Sequence, residues 1–123
     1  MILVDTSVWI SFLKKDDTHI TEILRSYLNT EEVLAASPVF GELLHGVKNK
    51  REKEIINTIW QGLPKIDEEE LFIKAGELSS QYQLYARGVG LIDCFLLEVC
   101  LEYDCALWTL DKNLGTAFDL VTS

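Results

Sequence analysis

"MILVDTSVWI" (residues 1–10) sets three apolar residues, Ile2, Leu3 and Val4, directly before Asp5, and apolar residues then resume at a different spacing. The unbroken apolar triplet reads as a short buried strand. Val8, Trp9, Phe12 and Leu13 recur at helical intervals until "KKDD" (residues 14–17) ends the pattern. A strand that hands over directly to a helix is the repeating unit of α/β proteins, and a carboxylate stands at the handover.

The same alternation continues down the chain. Ile20, Ile23, Leu24, Tyr27 and Leu28 mark a second amphipathic helix, and "VLAAS" (residues 33–37) reads as another buried strand. Ser37 followed by Pro38 is a helix start, a cap with proline at the first helical position. Ile55, Ile56, Ile59 and Trp60 stripe a further helix before Pro64. Leu71, Ala75, Leu78, Tyr82 and Tyr85 stripe a long one that stops at "RGVG" (residues 87–90). Residues 91–103 read as a helix, "CALWTL" (residues 105–110) as a strand and "LVTS" (residues 120–123) as a last strand. This pattern predicts an α/β domain around a mostly parallel sheet.

Composition bounds the class. A chain of 123 residues, 48% hydrophobic, suits one compact domain spanning residues 1–123. No segment approaches the roughly 18 consecutive apolar residues of a membrane helix, and there is no basic leader, so no membrane partner and a cytoplasmic location are expected. Cys94, Cys100 and Cys105 make an odd count with no C-x-x-C pair, which suggests buried thiols rather than a disulfide framework or a thiolate metal site. A net charge of −9 argues against coating nucleic acid through a broad basic surface. The basic cluster Lys48, Lys50, Arg51 and Lys53 reads as a solvated face, with phosphate contact as the alternative. The acidic run at residues 67–70 reads as a helix start with Asp67 as its cap.

Asp5 follows the first strand, Asp111 follows "CALWTL", and Glu42 lies on the second turn of the helix after "VLAAS". All three fall near carboxyl ends of strands, the edge at which open α/β sheets place their ligands. Asp93 is sharper. Winding "LIDCFLLEVCLEY" at about 100° per residue brings Glu98 and Glu102 together on one side and turns Asp93 to the other, among Leu96, Leu97 and Cys100. A buried carboxylate requires a cation, a metal or a proton. Capping explains Asp5 or Asp111 singly, and a surface position explains Glu42 singly. Gathered at one edge, four carboxylates would repel one another, and a hard divalent cation with oxygen ligands relieves that. Mg²⁺ or Mn²⁺ held there can lower the pKa of a bound water and stabilise a departing oxygen, which points to phosphodiester hydrolysis. No nucleophile elbow or glycine-rich phosphate loop competes, and His19 and His45 stand in unremarkable contexts.

"MILVDTSVWI", "PVFGELLHG", "RGVGLIDCFLLEVC" and "LWTLDKNL", in that order, resemble the successive motifs of PIN-domain ribonucleases, specifically the VapC-type toxins of type II toxin–antitoxin systems. The resemblance covers nearly the whole chain. It implies a three-layer α/β/α fold, Mg²⁺- or Mn²⁺-dependent endoribonuclease activity, an RNA substrate, a homodimer and inhibition by a cognate antitoxin. The family's acidic cluster falls on Asp5, Glu42, Asp93 and Asp111, as catalytic residues and metal ligands. Thr6 or Ser7, and Thr109, match positions where the family places hydroxyls. Asn113 stands where many relatives carry another carboxylate, which puts a second tightly held ion in doubt and leaves the choice between one ion and two open. Phe95, Leu97 and Glu98 replace the small residues usual after the third acid. Two other readings stand beside this one. A haloacid-dehalogenase-type phosphatase would need an acid where Ser7 stands. A non-catalytic RNA- or protein-binding module on the same fold would retain the cleft without turnover.

Overall fold

The computed structural model describes residues 1–30 and 32–123. Its elements run β1 (Ile2–Val4), α1 (Thr6–Lys14), α2 (Thr18–Asn29), β2 (Val33–Leu34), α3 (Ser37–His45), α4 (Lys50–Gly62), α5 (Leu71–Tyr82), α6 (Leu91–Tyr103), β3 (Ala106–Trp108) and α7 (Lys112–Thr122). A 3-10 turn at Tyr85–Arg87 lies between α5 and α6.

The three strands form one parallel sheet in the order β2-β1-β3. Ile2 pairs with Val33 on one side of β1 and with Ala106 on the other. The chain therefore leaves β1 in one direction and returns past it to reach β3. Right-handed crossovers made in opposite directions lay helices on both faces, which produces the α/β/α layering. They also make the carboxyl end of β1 the point where strand order reverses, and such a point leaves a crevice open above the sheet. Asp5 occupies it.

One hydrophobic core joins the layers. Leu3, Val4, Val8, Trp9 and Leu24 are fully buried, as are Phe95, Leu96 and Leu97 of α6. Each such side chain contributes about 1.5–3 kcal/mol through burial. Trp9 packs edge-on against Phe12 and Phe40, and Phe40 leans on Trp60. Trp9 is thus a core residue, although its indole N–H finds no hydrogen-bond partner among the described residues.

Several local expectations are corrected. Residues 120–123 are not a strand, because α7 runs to Thr122 with Leu114, Ala117 and Val121 buried at helical spacing. Ser37 is the first helical residue rather than the cap. Ala36 precedes it, and the carboxylate of Glu68 accepts from the Ser37 N–H at 2.8 Å and from its hydroxyl at 2.5 Å. Asp67 does not cap α5. Its side chain accepts from the N–H of Glu69, and the chain enters the helix through Glu70 at φ 62°. The α5 stripe ends at Tyr82, so Tyr85 lies on the 3-10 turn and is 90% exposed. The strands are shorter than the apolar runs that suggested them. Ala35 makes only an isolated bridge with Lys65, and β3 stops at Trp108.

Candidate active site

The site is built outward from Asp5. Its N–H donates to the carbonyl of Trp108 at 2.9 Å, which ties the residue after β1 to the end of β3. Its carboxylate accepts from the Thr6 N–H at 2.7 Å, the Ser7 hydroxyl at 2.9 Å and the Thr109 hydroxyl at 2.7 Å. Asp5 thus serves as cap of α1 while only 7% exposed. Ser7 in turn accepts from the Leu110 N–H at 3.0 Å, and Thr109 accepts from the Asp111 N–H at 3.0 Å. Two hydroxyl groups therefore connect residues more than a hundred positions apart into a single closed network. Such a network fixes the rotamer of the central carboxylate.

Asp111 is exposed and caps α7, accepting from the Leu114 N–H at 3.1 Å through one oxygen. The capping role and a place among the acids coexist, because a carboxylate oxygen has lone pairs to spare.

Asp93 lies in the first turn of α6, a helix buried on almost every side. Its side chain is partly exposed and has no hydrogen-bond partner among the described residues. Burial pushes its carboxyl group up to about 6, and the negative charges of Asp5, Asp111 and Glu42 push in the same direction. The four acids are thereby brought close enough to feel one another, although they come from four separate segments.

Glu42 reaches the cluster from α3. It is exposed and accepts from the Thr6 hydroxyl at 3.3 Å. It also rims an open groove of about 420 Å³ between α1, α3 and α4, floored by Ile10, Leu13, Leu43 and Ile56 and edged by Lys14 and Lys48. Gly46, one turn beyond Glu42, lines the same groove.

Oxygen donors with mutual repulsion are the donor set that suits a hard divalent cation, so these residues fit Mg²⁺ or Mn²⁺ in kind. In spacing they are looser. Among the described residues no three Asp, Glu, His or Cys side chains converge closely enough to hold a metal ion between them. The two observations are compatible, since charge acts well beyond the roughly 2.0–2.6 Å of direct coordination. Mg²⁺ retains several waters and can be reached through them.

Glu68 escapes any reading of the sequence as a site residue. By holding the first residue of α3 it positions the helix that carries Glu42, and a partner 31 residues away leaves no local signal. The basic cluster is solvated as expected: Lys48, Lys50, Arg51 and Lys53 are exposed, and Lys50 lies 4.0 Å from Glu54.

A strand-order reversal with acids gathered above it defines a class of α/β protein, and the comparison with known families gives it a name. The PIN domain family model matches residues 2–117, and the chain belongs to that family. Two similar proteins, both named Ribonuclease VapC32, come from Mycobacterium tuberculosis strains CDC 1551 / Oshkosh and ATCC 25618 / H37Rv. Each is 33% identical over 120 residues, covering 95% of this chain and 90% of the relative.

Proposed function

We propose that the protein is a metal-dependent endoribonuclease and the toxin of a type II toxin–antitoxin pair. The observation that carries this reading is Asp93, a half-buried carboxyl raised to about 6 beside three other acids at the strand-order reversal. Similarity to proteins named Ribonuclease VapC32 supports the substrate class and the VapC assignment.

Asp5, Asp93 and Asp111 would hold the ion, with Glu42 assisting or orienting the attacking water. Bound Mg²⁺, or Mn²⁺ in its place, would supply a water of lowered pKa and positive charge facing the phosphate. The chain does the rest. Ser7 and Thr109 keep Asp5 in one orientation. Positive charge there would offset the neighbouring acids that, together with burial, hold the Asp93 carboxyl up. Glu42, free on its groove side, is the carboxylate best placed to accept a proton from water.

The partners follow from the same reading. Exposed Leu91, Ile92 and Leu110 flank the acids and supply apolar surface for a homodimer. The groove beside Glu42 suits an apolar segment of a cognate antitoxin. No helix among the described residues is long and apolar enough to cross a membrane, and the reading places the enzyme in the cytoplasm.

A second reading, RNA or protein binding without turnover, is favoured by the loose spacing of the acids. One experiment separates the two. Purified protein free of antitoxin is incubated with transfer RNAs and ribosomal RNA fragments in Mg²⁺ or Mn²⁺, with EDTA and Asp5→Asn as controls. Discrete cuts lost in both controls are expected. Folded, metal-binding protein that cuts no RNA would replace the nuclease with the binding module.

A further inference from the structure

Cys100 and Cys105 lie five residues apart, a spacing that sends two side chains to different faces of a continuous α-helix. The helix does not continue. Asp104 adopts φ 48°, and the N–H of Cys105 then donates to the carbonyl of Cys100 at 3.1 Å. The Asp104 N–H turns to the same carbonyl. The bond from Cys105 is the six-to-one bond of a Schellman helix ending, which sets the first and sixth residues side by side, where an apolar contact is common. Both of those positions here carry thiols. Both are buried, and neither is in a disulfide.

The two thiols differ in character. The Cys100 thiol donates toward the sulfur of Cys105, which pushes Cys100 up and draws Cys105 below its ordinary range against the opposing effect of burial. The start of the chain is adjacent, since the Ala106 N–H donates to the Met1 carbonyl at 3.3 Å. Cys94 is unlike either. Burial pushes its thiol up, and its sulfur lies 4.0 Å from the carbonyl of Val89. Two thiols set side by side, one of them drawn toward its ionised form, are the arrangement in which a cysteine is oxidised and then resolved.

We propose that Cys100 and Cys105 form a redox site that a hydroperoxide converts to an intramolecular disulfide. The Cys105 thiolate attacks one peroxide oxygen, the O–O bond breaks, and the departing hydroxide leaves as water once protonated. The Cys100 sulfur then attacks the sulfur of the resulting sulfenic acid, forming the S–S bond. The S–O bond breaks, and the hydroxyl leaves as water with the Cys100 proton. Two thiols lose two electrons and two hydrogens in all, and one peroxide becomes two waters. The crosslink staples the end of α6, which carries Asp93, to the start of β3, which leads to Thr109 and Asp111. This site is independent of the ribonuclease reading.

The test uses the full chain, reduced and then treated with a small excess of hydrogen peroxide, quenched with catalase, unfolded and alkylated with iodoacetamide. A mass lower by about 2 Da before alkylation, and one alkylated thiol in place of three, are expected. Cleavage after Glu98 and Glu102 and before Asp104 separates the three cysteines. Cys100 and Cys105 peptides should be disulfide-linked, with Cys94 alkylated. Cys94→Ser should behave as the wild type does. The oxidised protein should melt about 5 °C higher, because the closed loop restricts the unfolded chain. Three alkylated thiols after peroxide, a bridge containing Cys94, a crosslink between chains, or a lowered melting point would each overturn the proposal.

Discussion

The two halves of the acidic cluster are held in different ways. Asp5 is nearly buried and accepts three hydrogen bonds, two of them from hydroxyl groups whose own acceptor roles reach across to the end of β3. Among the described residues, the side chains of Asp93 and Glu42 share between them a single bond at 3.3 Å, from Thr6 to Glu42. The first half is preorganised by the protein. The second is held mainly by helix packing, and Asp93 shows the consequence in its raised carboxyl. A fold that needed this cluster only for stability would have paired or replaced Asp93, because an uncompensated carboxylate beside three others weakens the native state.

The largest expected effect comes from the anchored half. Asp5→Asn removes the charge at the strand-order reversal, and RNA cleavage in Mg²⁺ should fall by at least about 100-fold. Circular dichroism should remain that of the folded protein, since the amide oxygen still accepts the Thr6 N–H. Activity within about threefold of wild type would remove Asp5 from the chemistry and undo the contrast between the halves. Next is Thr109→Val, which keeps the shape and deletes the hydroxyl. Loss of an orienting partner of this kind costs about 10–100-fold in metal affinity or activity. The Asp111 N–H also loses its acceptor, for about 1 kcal/mol of stability. Calorimetric titration with Mn²⁺ measures the first effect and urea unfolding the second. Unchanged Mn²⁺ affinity would mean that Asp5 keeps its orientation without the network.

The same division governs what the sequence could reveal. Asp5 was legible because the strand-to-helix handover is local, and α6 was legible from end to end, residues 91–103, because thirteen mostly apolar residues cannot be a strand of ordinary length. Parallel pairing also followed from the alternation. What escaped was whatever depends on distant partners. Residues 120–123 look like a strand by β-branched and apolar content, yet α7 packing decides them. Ser37 carries a local capping signal that Glu68 overrides by bonding to it across 31 residues, and the capping oxygen of Asp67 goes to the Glu69 N–H, two residues before α5 begins. Cys100 and Cys105 share no recognised motif, because their approach depends on one left-handed residue between them. The four acids could be placed on one sheet edge from sequence, and helical winding singled out Asp93, but the clamp on Asp5 depends on Thr109, 104 residues away, and left no local signal.

Asp93 allows the unanchored half to be read through stability alone. Its folded carboxyl titrates at about 6 against an ordinary 3.8, so the folded protein binds a proton more readily than the unfolded chain between those values. Metal-free stability should therefore fall as the pH rises from about 4 to about 6, and this contribution should be flat above that window. A shift of this size corresponds to about 3 kcal/mol, reduced to about 1–2 kcal/mol because the group is half exposed to solvent. Urea unfolding in EDTA at pH 4.5 and 7.5, for wild type and Asp93→Asn, isolates it by difference. The variant should gain about 1–2 kcal/mol over wild type at pH 7.5 and little at pH 4.5. Equal differences at both pH values would show that Asp93 is not under charge stress.

The smallest effect belongs to the one bond of the unanchored half. Thr6→Ala removes the hydroxyl that reaches Glu42 and leaves the Thr6 N–H on Asp5 intact. At 3.3 Å and open to water, that bond contributes at most about 0.5 kcal/mol to stability. Cleavage should therefore fall only about two- to threefold, whereas Glu42→Gln, which removes a charge from the cluster, should cost about tenfold or more. The ratio of the two rates is the informative quantity. If Thr6→Ala is as damaging as Glu42→Gln, Glu42 acts from a fixed position and the site is anchored on both sides. If it is nearly silent, Glu42 is set by the placement of α3, and Glu68→Gln, which weakens the clamp on Ser37 at the start of that helix, should then be the more damaging change.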